Sequence, residues 1–175
     1  MKRLTIPFDK KTLISFSAGE KILLNGKMYT ARDQAHKKLT SAIRRRKKLP
    51  FAVRGSVIYY CGPTRTPPGC VIGSCGPTTS SRMDAFTPLL LRAGLRAAIG
   101  KGARSEEVRK AIRKYGAVYF LTYAGCGAFL SGHVTSRRLV AFPELGPEAI
   151  WELTVKDFPA IVGIDAKGRS VYGKE

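Results

Sequence analysis

Thr78 and Arg82 lie in the run from Gly73 to Asp84, GSCGPTTSSRMD, where hydroxyls, glycines and a proline surround one arginine directly after the apolar pair Val71 and Ile72. Ser81 followed three residues later by Asp84 is a capping-box pattern, which predicts a helix start at Arg82 and free backbone N–H groups facing the loop. That end of a helix attracts anions. A cation in the first turn opposes the macrodipole, so Arg82 asks for a bound anion rather than an ordinary surface helix.

The arrangement recurs at Thr30, Ala31, Arg32 and Asp33, again a hydroxyl, an acid three residues later and an arginine between them. Two such sites could hold two carboxylates. At a third start, Ser105-Glu106-Glu107, acids fill the first turn as the dipole prefers, so first-turn arginine is not a habit of this chain. Taken singly, each arginine could equally snorkel or pair with its neighbour, Asp33 or Asp84. Lys101, between Gly100 and Gly102 at the end of a predicted strand, adds a cation in an open position. The phosphate-loop pattern started at Gly73 needs glycine where Thr78 stands, and Gly125-Cys126-Gly127 meets Leu130 instead of a third glycine.

The elements that must position these residues alternate between strand and helix. Strands are predicted at Arg3 to Pro7, then Lys21 to Leu24 and Lys27 to Thr30 around an Asn25-Gly26 hairpin. A helix from Asp33 to Lys48 follows, its cationic end Arg44, Arg45, Arg46, Lys47, Lys48 suiting a C-terminus before Pro50. After the strand Ser56 to Tyr60 and the Gly/Pro loop Gly62 to Gly69 comes the helix begun at Arg82, in which Pro88 either makes a kink or opens a second helix capped by Thr87. Strand Leu95 to Ile99, helix Glu106 to Tyr115, strand Ala117 to Tyr123, a short helix at Gly125 to Leu130 and strand Arg138 to Phe142 continue the alternation. Strands at Ile150 to Val155, Ala160 to Ile164 and Ser170 to Tyr172 close it. The reading is mixed α/β, one domain over residues 1–175, without repeats or a linker.

Composition sets the outer bounds. With 44% hydrophobic and 25% charged residues the chain has globular usage, and 31 Lys and Arg against 12 Asp and Glu give a net charge of +19. Such a balance implies an acidic partner or anionic substrate. The N-terminal MKRLTIPFDKK lacks an apolar signal core and no run is long enough to span a membrane, so a soluble, cytoplasmic protein without membrane contact is expected. Cys61, Cys70, Cys75 and Cys126 form no C-x-x-C pair, and with only His36 and His133 added they match no standard zinc or iron–sulfur spacing; no metal ligand is assigned. Cys75 and Cys126 stand in loops where a thiol could react, although inert buried thiols are commoner.

Several long ordered segments then fall into one set: GKMYTARDQAH (26–36), YYCGPTRTPPG (59–69), GSCGPTTSSRMD (73–84), IGKGARS (99–105), KYGAVYFLTYAGCGAF (114–129) and FPELGPEAIWEL (142–153). Together they closely resemble the beta subunit of two-subunit class I fumarate hydratase, and tartrate dehydratase beta subunits are similar in organisation. The resemblance implies a swivelling β/β/α domain with mixed sheets, closing on a partner that carries a [4Fe–4S] cluster whose open iron binds the substrate hydroxyl. It implies reversible addition of water to fumarate to give (S)-malate, at an active site shared with a cluster-bearing alpha subunit in a hetero-oligomer that leaves room for beta–beta contacts. This chain looks like the half without the cluster. On the matching motifs, Arg32, Arg82 and Lys101 bind the substrate carboxylates, Thr78 is the base and the acid comes from the alpha subunit, which makes this chain inactive alone. Asp33 and Asp84 stand beside the arginines, and His36, one helical turn after Arg32, either positions that arginine or relays protons, or is an ordinary core or surface histidine. His133 is expected at the surface.

Two alternatives accompany this reading: L-tartrate as the substrate of the same machinery, and a basic nucleic-acid-binding module. The second is motivated by the net charge and the run at 44–48, but the cations are not interleaved with aromatic platforms and no nucleic-acid motif appears.

Overall fold

The computed structural model describes residues 1–173. Their elements are β1 (Lys2–Ile6), α1 (Lys10–Ser15), β2 (Lys21–Thr30), α2 (Asp33–Arg44), β3 (Val57–Tyr59), a 3₁₀ turn (Ser80–Met83), α3 (Thr87–Arg92), β4 (Ala97–Gly100), α4 (Glu106–Tyr115), β5 (Val118–Leu121), α5 (Gly127–Ser131), β6 (Val134–Ala141), a second 3₁₀ segment (Pro143–Glu148) and β7 (Ile150–Ile164). The mixed α/β class read from the sequence is the architecture observed.

Strands β1 to β5 run parallel to their neighbours, whereas β7 is antiparallel to β5, β6 and β2. Because β7 joins β5 and also returns to β2, the strands β2-β3-β4-β5-β7 close into a small barrel, with β1 and β6 attached outside the ring. Period-two alternation then sorts the side chains into two cores. Val57 and Tyr59, Ala97 and Ile99, Val118 and Phe120 face a core shared with β7 and the ring trio Phe8, Phe16 and Phe120, whose centroids lie 5.5–5.9 Å apart. Ile58, Ala98 and Tyr119 face the other way, against Ala35 and Leu39 of α2, Leu90 and Leu91 of α3, and Val108 and Ile112 of α4. Helices thus cover one face of the parallel strands and β7 closes the other.

Local rules succeed best at α4, where Ser105 accepts from the Val108 N–H at 3.3 Å and left-handed Gly116 ends the helix. They fail at Asn25-Gly26. No hairpin forms; β2 runs through as one strand, with a register shift between Leu24 and Gly26. The extra residue lies on β7, where Lys156 and Asp157 together oppose Asn25; Asp157 is left-handed at φ 51°, its N–H donates to Asn25 Oδ1 at 3.0 Å and Arg3 pairs with its carboxylate at 2.8 Å. The dipeptide therefore stays inside a continuous strand opposite a bulge of β7, with parallel β1 on its other side and no hairpin return. The bend at Asp157 likewise lets residues 150–164 form one strand where two are predicted.

Other differences are smaller. Helix α2 ends at Arg44, and Arg46 has φ 52°, so most of the basic run lies beyond the helix. Pro88 opens a separate helix, as one of the two sequence options has it, but Phe86 occupies the cap position and the Thr87 hydroxyl donates to Met83 O at 2.8 Å. Residues 170–172 contribute a single bridge, Ile164 to Ser170, instead of a strand. Helix α1, capped by Asp9 on the Thr12 N–H at 2.7 Å, is not predicted from the sequence at all. Among the described residues no helix is long and apolar enough to cross a membrane.

Candidate active site

The parallel strands β2, β3, β4 and β5 deliver their carboxyl ends to one edge, where α/β folds place ligands. The motif 73–84 is threaded into that edge. The Thr78 N–H donates to Tyr60 O at 2.7 Å just beyond β3, and the Ser80 N–H donates to Lys101 O at 3.0 Å just beyond β4. Thr79 and Lys101 form a parallel bridge, and the Lys101 N–H donates to Ser80 Oγ at 3.1 Å. Segment 78–80 thus adds a short rung between two core strands, which fixes half-buried Thr78 beside Lys101. The rung needs Gly100, since a Cβ there would run into Ser80 Oγ.

Arg82 follows on the 3₁₀ turn. No capping box forms: Thr79 precedes the turn without a side-chain cap, and Arg82 lies in its last residues, so the helix-dipole argument for this arginine does not apply. Its side chain, 50% exposed, instead reaches Asp33, with Nε donating to Oδ1 at 3.0 Å and Nη2 to Oδ2 at 2.8 Å. The pairing is crosswise, with the acid of the other motif and not with nearby Asp84.

The upstream motif is also rearranged. Thr30 does not cap α2; buried at the end of β2, its hydroxyl accepts from the Trp151 N–H at 3.1 Å. Arg32 is the N-cap residue and contributes no side-chain cap. Glu148 serves that end of α2 instead, accepting from the Gln34 N–H at 2.8 Å and lying 3.8 Å from Arg32 Nη2. Arg32 leans over Gly62, where a Cβ would lie 2.9 Å from Nη1, and its Nε is buried without a hydrogen-bond partner, 3.9 Å from Asp33 Oδ2. Asp33 therefore stands between the two arginines.

His36 is fully buried against Tyr60 and Phe86, with ring separations of 5.3 and 5.9 Å. Its Nδ1 is 2.8 Å from the Arg32 carbonyl, so Nδ1 carries the proton and donates. Nε2 is left unprotonated, buried and unpartnered. Burial accordingly lowers the His36 pKa from 6.5 to about 4, against the hydrogen bond to Arg32 and with help from the nearby Arg104 charge. A neutral ring tethered to the Arg32 main chain steadies that end of the helix. His133, expected at the surface, is partly covered between Phe129 and Phe158, and its Nδ1 lies 3.1 Å from Lys156 O.

Asp84 does not face the arginine clamp. It accepts from Arg104 Nε at 2.6 Å and from the Ser105 N–H at 2.7 Å. Arg104, with 0% side-chain exposure, also donates to Thr87 Oγ1 at 2.7 Å, and its guanidinium carbon lies 4.9 and 5.3 Å from the ring centroids of Tyr119 and Tyr60. The Tyr119 hydroxyl in turn donates to Ser80 Oγ at 2.8 Å, and burial pushes its pKa up, keeping it a donor. Arg104, Tyr119, Ser80 and Glu148 thus support the edge, yet nothing local marks them. Arg104 directly precedes a helix cap, where an exposed cation is the usual finding.

The thiols divide into two kinds. Cys70 and Cys126 are exposed, whereas Cys61 and Cys75 are buried together. A hydrogen bond between that pair raises the Cys61 pKa, with burial adding to it, and lowers that of Cys75. Among the described residues no three His, Cys, Asp or Glu side chains converge.

The edge holds two arginines, a lysine and a loop hydroxyl, groups whose chemistry can grip a carboxylate. A family model described as the Fumarase C-terminus matches residues 2–175. The chain belongs to that family. It is 39% identical over 172 residues to fumarate hydratase 2 of Leishmania major, a match covering 96% of this chain and 30% of the relative. It is 38% identical to the aerobic class I fumarate hydratase of Escherichia coli, covering 91% of the chain and again 30% of the relative. A Methanocaldococcus jannaschii protein, provisionally described as the beta subunit of L(+)-tartrate dehydratase, is 41% identical over 93% of the chain and 87% of its own length. The chain thus spans less than a third of the two fumarate hydratases but most of the subunit-sized relative.

Proposed function

We propose that this chain is the carboxylate-binding half of a hydro-lyase acting on a four-carbon dicarboxylate, interconverting fumarate plus water and (S)-malate with a cluster-bearing alpha subunit. The observation that carries the reading is the convergence of Arg32, Arg82, Lys101 and the Thr78 loop at one strand edge, from segments far apart in sequence. The family membership and the two kinds of relative support the same chemistry.

Dehydration of malate requires removal of a proton from carbon next to a carboxylate, which places excess negative charge on that carboxylate. Cations fixed beforehand stabilise the charge as it develops and need no reorganisation at the moment of reaction. In this reading Arg82 leaves its bidentate hold on Asp33 to take a substrate carboxylate, and Arg32, with its free Nε, takes part in holding the other end. Lys101 adds a point charge to the same edge. Thr78 Oγ accepts the carbon-bound proton in dehydration and returns it in hydration; before dehydration the hydroxyl must release its own proton to solvent water, a loss that the surrounding cations favour. The leaving hydroxyl departs as water after protonation by an acid on the partner. A [4Fe–4S] cluster on that partner supplies Lewis acidity toward the hydroxyl.

Co-expression with the cluster-bearing partner, anaerobic reconstitution, and assays of fumarate hydration and of malate and tartrate dehydration test the proposal. Malate turnover that needs both chains is the expected result. Activity of this chain alone, or a loaded complex inactive on all three substrates, overturns it; tartrate turnover without malate turnover reassigns the substrate and keeps the machinery.

A further inference from the structure

In a chain of net charge +19, two stretches contain no Lys, Arg, Asp or Glu: Thr66 to Ser81 and Gly116 to Ser136. The fold brings them together. The Cys75 N–H donates to Gly127 O at 3.1 Å, and the two backbones approach so closely that a Cβ on Gly127 would lie 2.8 Å from Gly76 N. Cys70, Val71, Ala128 and Gly132 line one shallow cavity of about 270 Å³ along the junction.

This uncharged surface is also apolar. Phe129 is 55% exposed, Val71 43% and Tyr123 40%, and the Tyr123 and Phe129 rings lie 6.3 Å apart. Exposed Cys70 and Cys126 border them. Interfaces are depleted of charge at their centre and enriched in aromatic residues, whereas an exposed face of a strongly basic chain is ordinarily rich in cations. A charge-free exposed patch is therefore the part of this surface built to be covered.

We infer that the Val71–Tyr123–Phe129 face is where the cluster-bearing partner docks. Continuity with the site selects that occupant. Thr78 lies in the same charge-free stretch, three residues after Cys75, whose N–H is bonded to Gly127 at the start of α5, so the face is continuous along the chain with the Thr78 loop. The inference rests on the proposed function, which requires the acid to come from a second chain. Partner binding here also bears on the Gly76–Gly127 contact, and hence on how the Thr78 loop is held.

The two exposed thiols report on the face. Iodoacetamide labelling of the free chain and of the anaerobically purified complex, read peptide by peptide by mass spectrometry, compares Cys126 and Cys70 in the two states. The Cys126 rate is expected to fall at least about tenfold in the complex, as water is excluded from the interface core. Phe129→Glu, at an exposed position that leaves the fold intact by circular dichroism, is expected to weaken the complex roughly thirtyfold or more. An active complex in which Cys126 labels at its free rate, or in which Phe129→Glu binds as the wild type does, overturns the docking face and leaves the proposed function standing. Protection already present in the chain alone, rising with concentration, assigns the face to a second copy and overturns the partner. Failure of any complex or activity to form overturns the proposed function and the docking face with it.

Discussion

Arg82 and Asp33, separated by 49 positions in sequence, form a two-point pair in which each guanidinium nitrogen meets its own carboxylate oxygen, at 3.0 and 2.8 Å. Asp33 follows Arg32 directly and lies 3.9 Å from its Nε. The carboxylate thus occupies the place between two arginines, and in the proposed function a substrate carboxylate competes for the same fork. The exchange is inexpensive because the pair is partly open to water, with the Arg82 side chain 50% exposed.

Arg82→Ala is expected to lower kcat/KM by on the order of 10²- to 10³-fold in the reconstituted complex, the scale for losing one preorganised charge-stabilising group. The fold is expected to survive, since an exposed ion pair contributes about 1 kcal/mol or less. Arg82→Lys should recover little, because a point charge lacks the planar fork. Steady-state kinetics beside a thermal melt checks this; wild-type turnover in Arg82→Ala removes the residue from the site.

Thr78 contributes its main-chain N–H to Tyr60 O whatever its side chain, so truncating the hydroxyl leaves the rung in place. Thr78→Ala is expected to reduce kcat by about 10²- to 10⁴-fold, the range for a lost general base, and Thr78→Ser to retain much of the rate. Equal losses in both variants would assign the effect to the lost methyl group and remove the hydroxyl from the chemistry.

Arg104 is predicted to matter for stability before it matters for chemistry. Its side chain is sealed between Tyr60, Tyr119, Asp84 and Thr87, and Arg104→Ala strands a carboxylate that keeps only the Ser105 N–H among its observed partners. Breaking a buried pair from one side costs about 3–5 kcal/mol. Urea unfolding of the free chain measures the loss, and a change under about 1 kcal/mol would show the network to be dispensable.

His36 gives the chain an acid-sensitive element. Burial lowers its pKa from 6.5 to about 4, so between those values the unfolded chain takes up a proton that the folded chain excludes. Its stabilising contribution is complete above the unfolded pKa and declines as pH falls toward the folded one, by about 1.4 kcal/mol per pH unit. Between pH 7 and pH 5 the wild type should lose about 2 kcal/mol more than His36→Gln, because carboxylates titrate alike in both proteins. Matching pH profiles in urea unfolding would place the His36 ring in contact with solvent.

Local chemistry made much of the chain readable. The Ser105 cap, the acidic first turn and Gly116 define α4 because each acts within one helical turn, and the alternating apolar residues of β3, β4 and β5 mark strands buried on both faces. The Gly/Pro/hydroxyl loop and the arginines could be singled out as candidate anion binders by composition, but the capping-box spacing used to do so is not the local structure at either arginine.

What lay outside reach is pairing over distance. Asn25-Gly26 has the composition of a hairpin, and only the parallel neighbour β1 and the β7 bulge at Asp157 opposite it keep it inside a continuous strand. Spacing alone offers Arg82 its neighbour Asp84, whereas the packing of the 3₁₀ turn against α2 gives Arg82 to Asp33 while buried Arg104 takes Asp84. By itself the sequence determined which residues carry charge and hydroxyls and which short elements bear them. The closure of β7 onto both β2 and β5 decided that those elements share one edge, because a strand's neighbours are chosen by the burial of whole faces and not by any local spacing.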